Sequence, residues 1–331
     1  MSYLLNPDLF SDDVKLEPIR AGFGRGLKAA GEANENVVAL CADLTESTQM
    51  HLFRDAFPKR FIEVGIAEQN LVTVASGLAR AGKIPFTSSY AAFSPGRNWE
   101  QIRTTAALNN QPVKIVGSHA GVSVGPDGAT HQMLEDIALM RVLPNMVVIA
   151  PGDSIEAAKA TQAIAENGKP SYIRLAREKT PIFSTEESPF EIGKAYVLEE
   201  GSDVTLLGTG AMTYELLSAA KLLKEHGIDA EVIHVPTIKP LDTETILASV
   251  RKTGRAVSAE EAQAAGGFGG AIAELLSERL PTPLKRIGMY DRFGESGAPA
   301  ELMEYFGLSG NKIAPEVKSW IEITSKYHQE F

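Results

Sequence analysis

Cysteine is nearly absent from this chain: Cys41 stands alone. No internal disulfide can form, and the setting Val37-Val-Ala-Leu-Cys41 is that of a small buried hydrophobe rather than a reactive thiol. Positive charge is also in short supply. With 32 Lys and Arg against 42 Asp and Glu, the net charge is −10. That excludes the sustained basic face a nucleic acid or an anionic membrane surface requires, so any phosphate must be held locally. No uncharged run approaches membrane-spanning length, and the N-terminus Met1-Ser-Tyr-Leu-Leu-Asn-Pro-Asp8 lacks the basic region and long apolar core of a signal peptide. A cytoplasmic location is expected. Low-complexity runs and long blocks of like charge are missing, so extended disorder is not expected.

What remains is ordinary globular composition, 44% hydrophobic and 22% charged over 331 residues, a length at which one core usually gives way to two domains. The first half alternates short apolar runs (37–42, 61–64, 84–88, 113–117, 146–150 and 171–175) with helical patterns such as 71–81 and 154–166. Such alternation predicts a doubly wound α/β unit with a mostly parallel sheet. The stretch 181–190, with prolines and no period, reads as an interdomain linker. Beyond it, runs at 204–207, 230–235, 256–259 and 284–287 predict a smaller α/β domain. The expected domains are thus 1–180 and 191–331.

Three segments carry candidate chemistry. In Gly65-Ile-Ala-Glu68-Gln-Asn70, Glu68 lies between a strand and a helix, where a carboxylate can face a ligand or simply favour the first helical turn. Tyr90 and Phe93 follow a strand at a place where side chains enter a sheet-end crevice, or else pack in the core. The segment His119-Ala-Gly-Val-Ser-Val-Gly-Pro-Asp127-Gly-Ala-Thr-His131-Gln joins strand to helix with glycines, an aspartate and two histidines. Glycine permits close backbone approach to a ligand, histidine exchanges protons near neutral pH, and Asp127 can accept from a hydroxyl. A tight loop with surface histidines is the plainer alternative. A metal site is not expected there, since no third ligand recurs nearby. The glycine clusters at 208–210 and 266–270 match neither a Rossmann nor a P-loop fingerprint.

Taken together, these segments resemble the pyrimidine-binding and C-terminal domains of transketolases. That family carries the same twelve-residue interval between the two histidines and the same Asp-Gly-x-Thr-His-Gln ending. The resemblance implies thiamine diphosphate as cofactor. Glu68 would then bond the N1′ nitrogen of the aminopyrimidine and promote cofactor activation. Phe93 would stack on that ring, with Tyr90 and Asp43 nearby. Asp127 would bind the donor's C2 hydroxyl and His131 would contact it near the reacting carbon. His119 would reach the sugar phosphate together with Arg20, Ser47 and Arg177. The family's Gly-Asp-Gly motif, which holds a divalent metal and the diphosphate, occurs nowhere in the chain.

The resemblance therefore implies one subunit of a split transketolase. Magnesium, calcium or manganese would be held by a separate diphosphate-binding N-terminal partner, in an α2β2 assembly acting on phosphorylated sugars of the pentose phosphate pathway. The length and starting methionine fit a complete subunit. Deoxyxylulose-phosphate synthase shares both motifs, but usually has His where Asn70 stands and lacks a match to His119. The 2-oxoacid dehydrogenase beta subunits share length and domain order, with a different signature around the glutamate. A catalytically idle scaffold is the non-enzymatic alternative.

Overall fold

The computed structural model describes residues 3–327. Its larger sheet has seven strands in the order Thr237–Lys239, Val147–Ile149, Ser171–Arg174, Lys114–Ser118, Ile84–Tyr90, Val37–Cys41 and Phe61–Glu63. All pairings are parallel except that of the edge strand Thr237–Lys239. Every residue of Val37–Cys41 and of Lys114–Ser118 is buried, as expected of strands covered on both faces, which appear in sequence as continuous apolar runs. The smaller sheet has five strands, ordered Leu284–Met289, Ala256–Gln263, Val204–Gly208, Ala230–His234 and Tyr196–Glu199, with only the last antiparallel. The protein is thus α/β with two mostly parallel sheets.

Helix Ile19–Ala33 lies close against helix Ser154–Glu166 because glycine permits it. A Cβ at Gly22 would sit 1.7 Å from the Ser154 carbonyl oxygen, and one at Gly26 would sit 2.5 Å from that of Ala158. This packing fixes the start of the first helix, and with it Arg20. Asp153 caps the second helix by accepting from the Glu156 N–H at 3.0 Å. The same carboxylate accepts from the N–H groups of Phe183 and Ser184 at 3.1 and 2.7 Å. The segment expected as a linker is therefore not slack: Phe183 is fully buried, and Lys179–Pro181 pairs with Leu16–Pro18 as a small antiparallel ribbon.

The two sheets share one core. Leu40, Leu71, Ile115 and Met140 from the first unit form one apolar cluster with Leu207, Ile233, Ile246 and Phe268 from the second. Strand Thr237–Lys239, contributed by the second unit, completes the first sheet, and Lys239 Nζ donates to the Arg141 carbonyl at 3.0 Å. A buried charge cluster reinforces this junction. Arg174 bonds Asp136 at 2.9 Å and the Glu261 backbone carbonyl at 2.7 Å, and Tyr172 donates to Asp136 at 2.7 Å.

Candidate active site

Every residue singled out in the first unit except Arg20, Asp127 and His131 lies on, or a few positions beyond, the carboxyl end of a strand of the seven-stranded sheet, where α/β folds place ligands. Asp43 and Ser47 follow Val37–Cys41, Glu68 follows Phe61–Glu63, Tyr90 ends Ile84–Tyr90, His119 follows Lys114–Ser118, and Arg177 follows Ser171–Arg174. Parallel pairing sets Tyr90 opposite Ser118, so Tyr90 and His119 meet although they are remote in sequence.

That meeting is the centre of the site. The rings of Tyr90 and His119 stack with centroids 3.8 Å apart. Ser47 Oγ lies 2.7 Å from the Tyr90 hydroxyl and 3.4 Å from His119 Nε2. Arg20 donates to the same Nε2 at 2.9 Å. Because a guanidinium can only donate, Nε2 is the acceptor, and the ring proton sits on Nδ1, 2.9 Å from Ser118 Oγ. Burial, followed by the charges of Arg20, Arg177 and His131, pushes the His119 pKa down to about 3. The imidazole is neutral. Burial first, and then the neighbouring charge of Arg177, lowers the pKa of Arg20 against the opposing charge of Glu178, which itself pairs with Arg177 at 3.4 Å.

His131 meets Phe93 edge-on at 5.4 Å and Tyr90 at 6.3 Å. The half-buried Phe93 ring also lies 5.6 Å from the Arg97 guanidinium. Glu68 is the first residue of helix Glu68–Arg80 and only 3% exposed. Its Oε2 accepts from Arg97 at 3.3 Å, and its backbone carbonyl accepts from Asn98 at 2.8 Å. No hydrogen bond reaches Glu68 Oε1 among the described residues. Asp43 and Asp127 are both exposed and make no side-chain hydrogen bond among the described residues. Arg177 is tied to the glycine-rich loop through the Val124 carbonyl at 2.6 Å.

Several organising residues escaped the sequence reading. Glu63 accepts from the N–H groups of Asp43 and Gly65 at 2.9 and 2.8 Å and from Thr45 Oγ1 at 3.2 Å, pinning the Asp43–Thr45 loop to the turn that leads into Glu68. Arg97 and Asn98 sit just beyond the Tyr90–Phe93 segment, where only their proximity to it could have flagged them. The glycines of the His119–His131 loop lie close against the second domain. A Cβ at Gly121 would lie 2.3 Å from Glu261 Oε1, at Gly125 2.9 Å from Pro299, and at Gly128 2.4 Å from Ser296 Oγ. They make room for the second domain.

Residues 18–182 match the transketolase pyrimidine-binding domain and residues 193–313 the transketolase C-terminal domain. A transketolase C-terminal section of Methanocaldococcus jannaschii is 47% identical over 90% of this chain and 95% of its own length. A 6-deoxy-6-sulfo-D-fructose transketolase subunit of a Clostridium species is 42% identical over 95% of this chain and 97% of its own. Among solved structures, a split-gene transketolase in the form of an inactive beta4 tetramer superposes with a TM-score of 0.86 at 43% identity, covering 92% of this chain and 98% of that one. Against transketolases such as the human enzyme, the chain spans about half of the relative's length. A buried helix-start glutamate, an aromatic and histidine cluster at the strand ends and both domain matches lead to one conclusion: this chain belongs to the transketolase family, of which it carries the pyrimidine-binding and C-terminal domains.

Proposed function

We propose that the chain is the C-terminal subunit of a split, thiamine diphosphate-dependent transketolase that moves a two-carbon ketol unit from a ketose phosphate to an aldose phosphate. The observation that carries this reading is the pairing of two half-sites on one sheet edge. Glu68 and Phe93 form one, and Arg20, Ser47 and His119 form the other. The first fits the aminopyrimidine end of the cofactor, because the buried Glu68 carboxylate keeps Oε1 without a protein donor among the described residues, while Arg97, which bonds its Oε2, also lies over the half-buried Phe93 ring. When bound, thiamine diphosphate supplies the nucleophilic carbon that accepts the ketol unit and passes it on.

The chain's own residues do the rest. Glu68, set rigidly at the start of a packed helix and 3% exposed, would hold the proton on the cofactor's ring nitrogen. Phe93 offers stacking area. Arg20 and Arg177 bind the anionic end of the sugar, with Ser47 and neutral His119 as hydrogen-bonding partners. Asp127 and His131 orient the donor hydroxyl and carry its proton. An anion site built from guanidiniums suits a sulfonate as well as a phosphate, in keeping with the sulfo-fructose subunit among the relatives.

No Gly-Asp-Gly motif occurs in this sequence, so on this reading the diphosphate and its divalent metal would be held by a partner subunit, in keeping with the split-gene relative in its inactive beta4 form. The test is turnover of xylulose 5-phosphate with ribose 5-phosphate in the presence of thiamine diphosphate and magnesium. The purified chain alone is expected to be silent, and the chain with its diphosphate-binding partner active. Strong activity from the chain alone refutes the split.

A further inference from the structure

The loop that carries His119 and His131 is held from outside its own domain. Ser123 donates its backbone N–H to Glu261 Oε1 at 2.5 Å, across 138 residues of sequence. Glu261 lies on strand Ala256–Gln263 of the smaller sheet and is 3% exposed. Its own backbone is fixed in turn, because its carbonyl accepts from Arg174 at 2.7 Å. Burial raises the Glu261 pKa, while the Arg174 charge and the Ser123 N–H oppose that rise.

Two other contacts follow the same route. Gln132 donates to the Glu295 carbonyl at 2.8 Å while also reaching the loop carbonyls of Val122 and Gly125 at 3.0 and 3.3 Å. Val122 is fully buried in the apolar cluster of the second unit, with Met212, Leu216 and Ile287. Next to the clasp, a cavity of about 540 Å³ is lined by Ser123, Glu261, Tyr214 and Pro299 among others. The loop glycines have positive φ, 91° at Gly121 and 83° at Gly125. A glycine chain in that region is conformationally permissive and needs external contacts to hold one shape.

We infer that Glu261 is a positioning residue: by holding the Ser123 amide it sets the loop that presents His119 and His131 to the sugar. The second domain thereby takes part in substrate binding without touching the substrate. The inference rests on the proposed function for what the loop binds, but not for the clasp itself.

Three variants separate the possibilities. E261A removes the acceptor; E261D keeps the charge but withdraws it by one methylene and serves if E261A does not fold; E261Q keeps a carbonyl acceptor at full reach. Amide hydrogen exchange on the chain should speed up over residues 119–131 in E261A and E261D, while strand Lys114–Ser118 keeps its protection, and E261Q should resemble wild type. In the complex with its partner, E261A and E261D should raise KM for a sugar-phosphate donor about tenfold. Exchange of the cofactor C2 proton should be unaffected, and E261Q should restore KM. Unchanged loop exchange in both shortened variants overturns the clasp. So does a loss of melting temperature with KM intact, or an E261Q variant as impaired as E261A. If the loop loosens as described but the wild-type complex lacks transketolase activity, the clasp stands and the proposed function fails.

Discussion

Replacing His119 with Asn should flatten the acid side of the stability profile. The His119 ring is 1% exposed, accepts from Arg20 through Nε2, and has its pKa pushed down to about 3 by burial first and then by Arg20, Arg177 and His131. In the unfolded chain the same ring titrates near its ordinary value of about 6.5. Between those two values the unfolded state holds a proton that the folded state does not, so stability falls as pH drops through the window. At pH 5 the ring costs roughly 2 kcal/mol relative to pH 8, and well inside the window the slope is about 1.4 kcal/mol per pH unit. Asparagine is a suitable replacement because His119 has φ 57°, a left-handed conformation that Asn tolerates better than most residues. Urea denaturation of both proteins at pH 7.5, 6 and 5 isolates the effect. The variant starts less stable, having lost the Arg20 bond, but should lose about 2 kcal/mol less than wild type over that range. Parallel profiles for the two proteins would refute a buried, neutral His119, and with it the assignment of Nε2 as an acceptor.

Glu68→Gln should leave the complex assembled and cut turnover by about two orders of magnitude, since a group that exchanges a proton with the cofactor is replaced by one that cannot; an unchanged C2-proton exchange rate would sink that role. Arg20→Ala and Arg177→Ala should each cost roughly 1.5–3 kcal/mol, about ten- to a hundredfold in kcat/KM, with a phosphorylated donor. Hydroxypyruvate, which has no phosphate, should be spared in the half-reaction that forms the two-carbon adduct, and an equal loss with both donors rules out a phosphate site.

The interior strands were legible in sequence for a simple reason. A parallel strand covered on both faces must be apolar at nearly every position, so Val37–Cys41, Val204–Gly208 and Ala230–His234 appear as unbroken buried runs. Of the short peripheral strands, Phe61–Glu63 was legible and others were not. Thr237–Lys239 is three residues long and pairs with Val147–Ile149, and Leu16–Pro18 pairs with Lys179–Pro181. Nothing local marks such segments, because their partners are far away in sequence and little of each is buried by its own neighbours. For the same reason the boundary between the units reads as a loose proline-bearing stretch, although Phe183 is buried and its N–H is held by Asp153.

At the site, the sequence by itself determined the inventory: a glutamate opening a helix, aromatics after a strand, and a glycine-rich loop between histidines. Each is a local pattern in which backbone requirement and side-chain chemistry coincide within a few residues. Only the tertiary structure decided what those groups do to one another. Parallel register brings Tyr90 onto His119, helix packing through Gly22 delivers Arg20 to Nε2 from 99 residues away, and burial among those partners leaves the histidine neutral. The glycines show the limit most clearly. A glycine in sequence announces that something comes close, but whether that is a ligand or the Glu261 carboxylate depends on which surface the folded chain sets against it. Proximity between distant residues is a property of the packed molecule, and no local pattern encodes it.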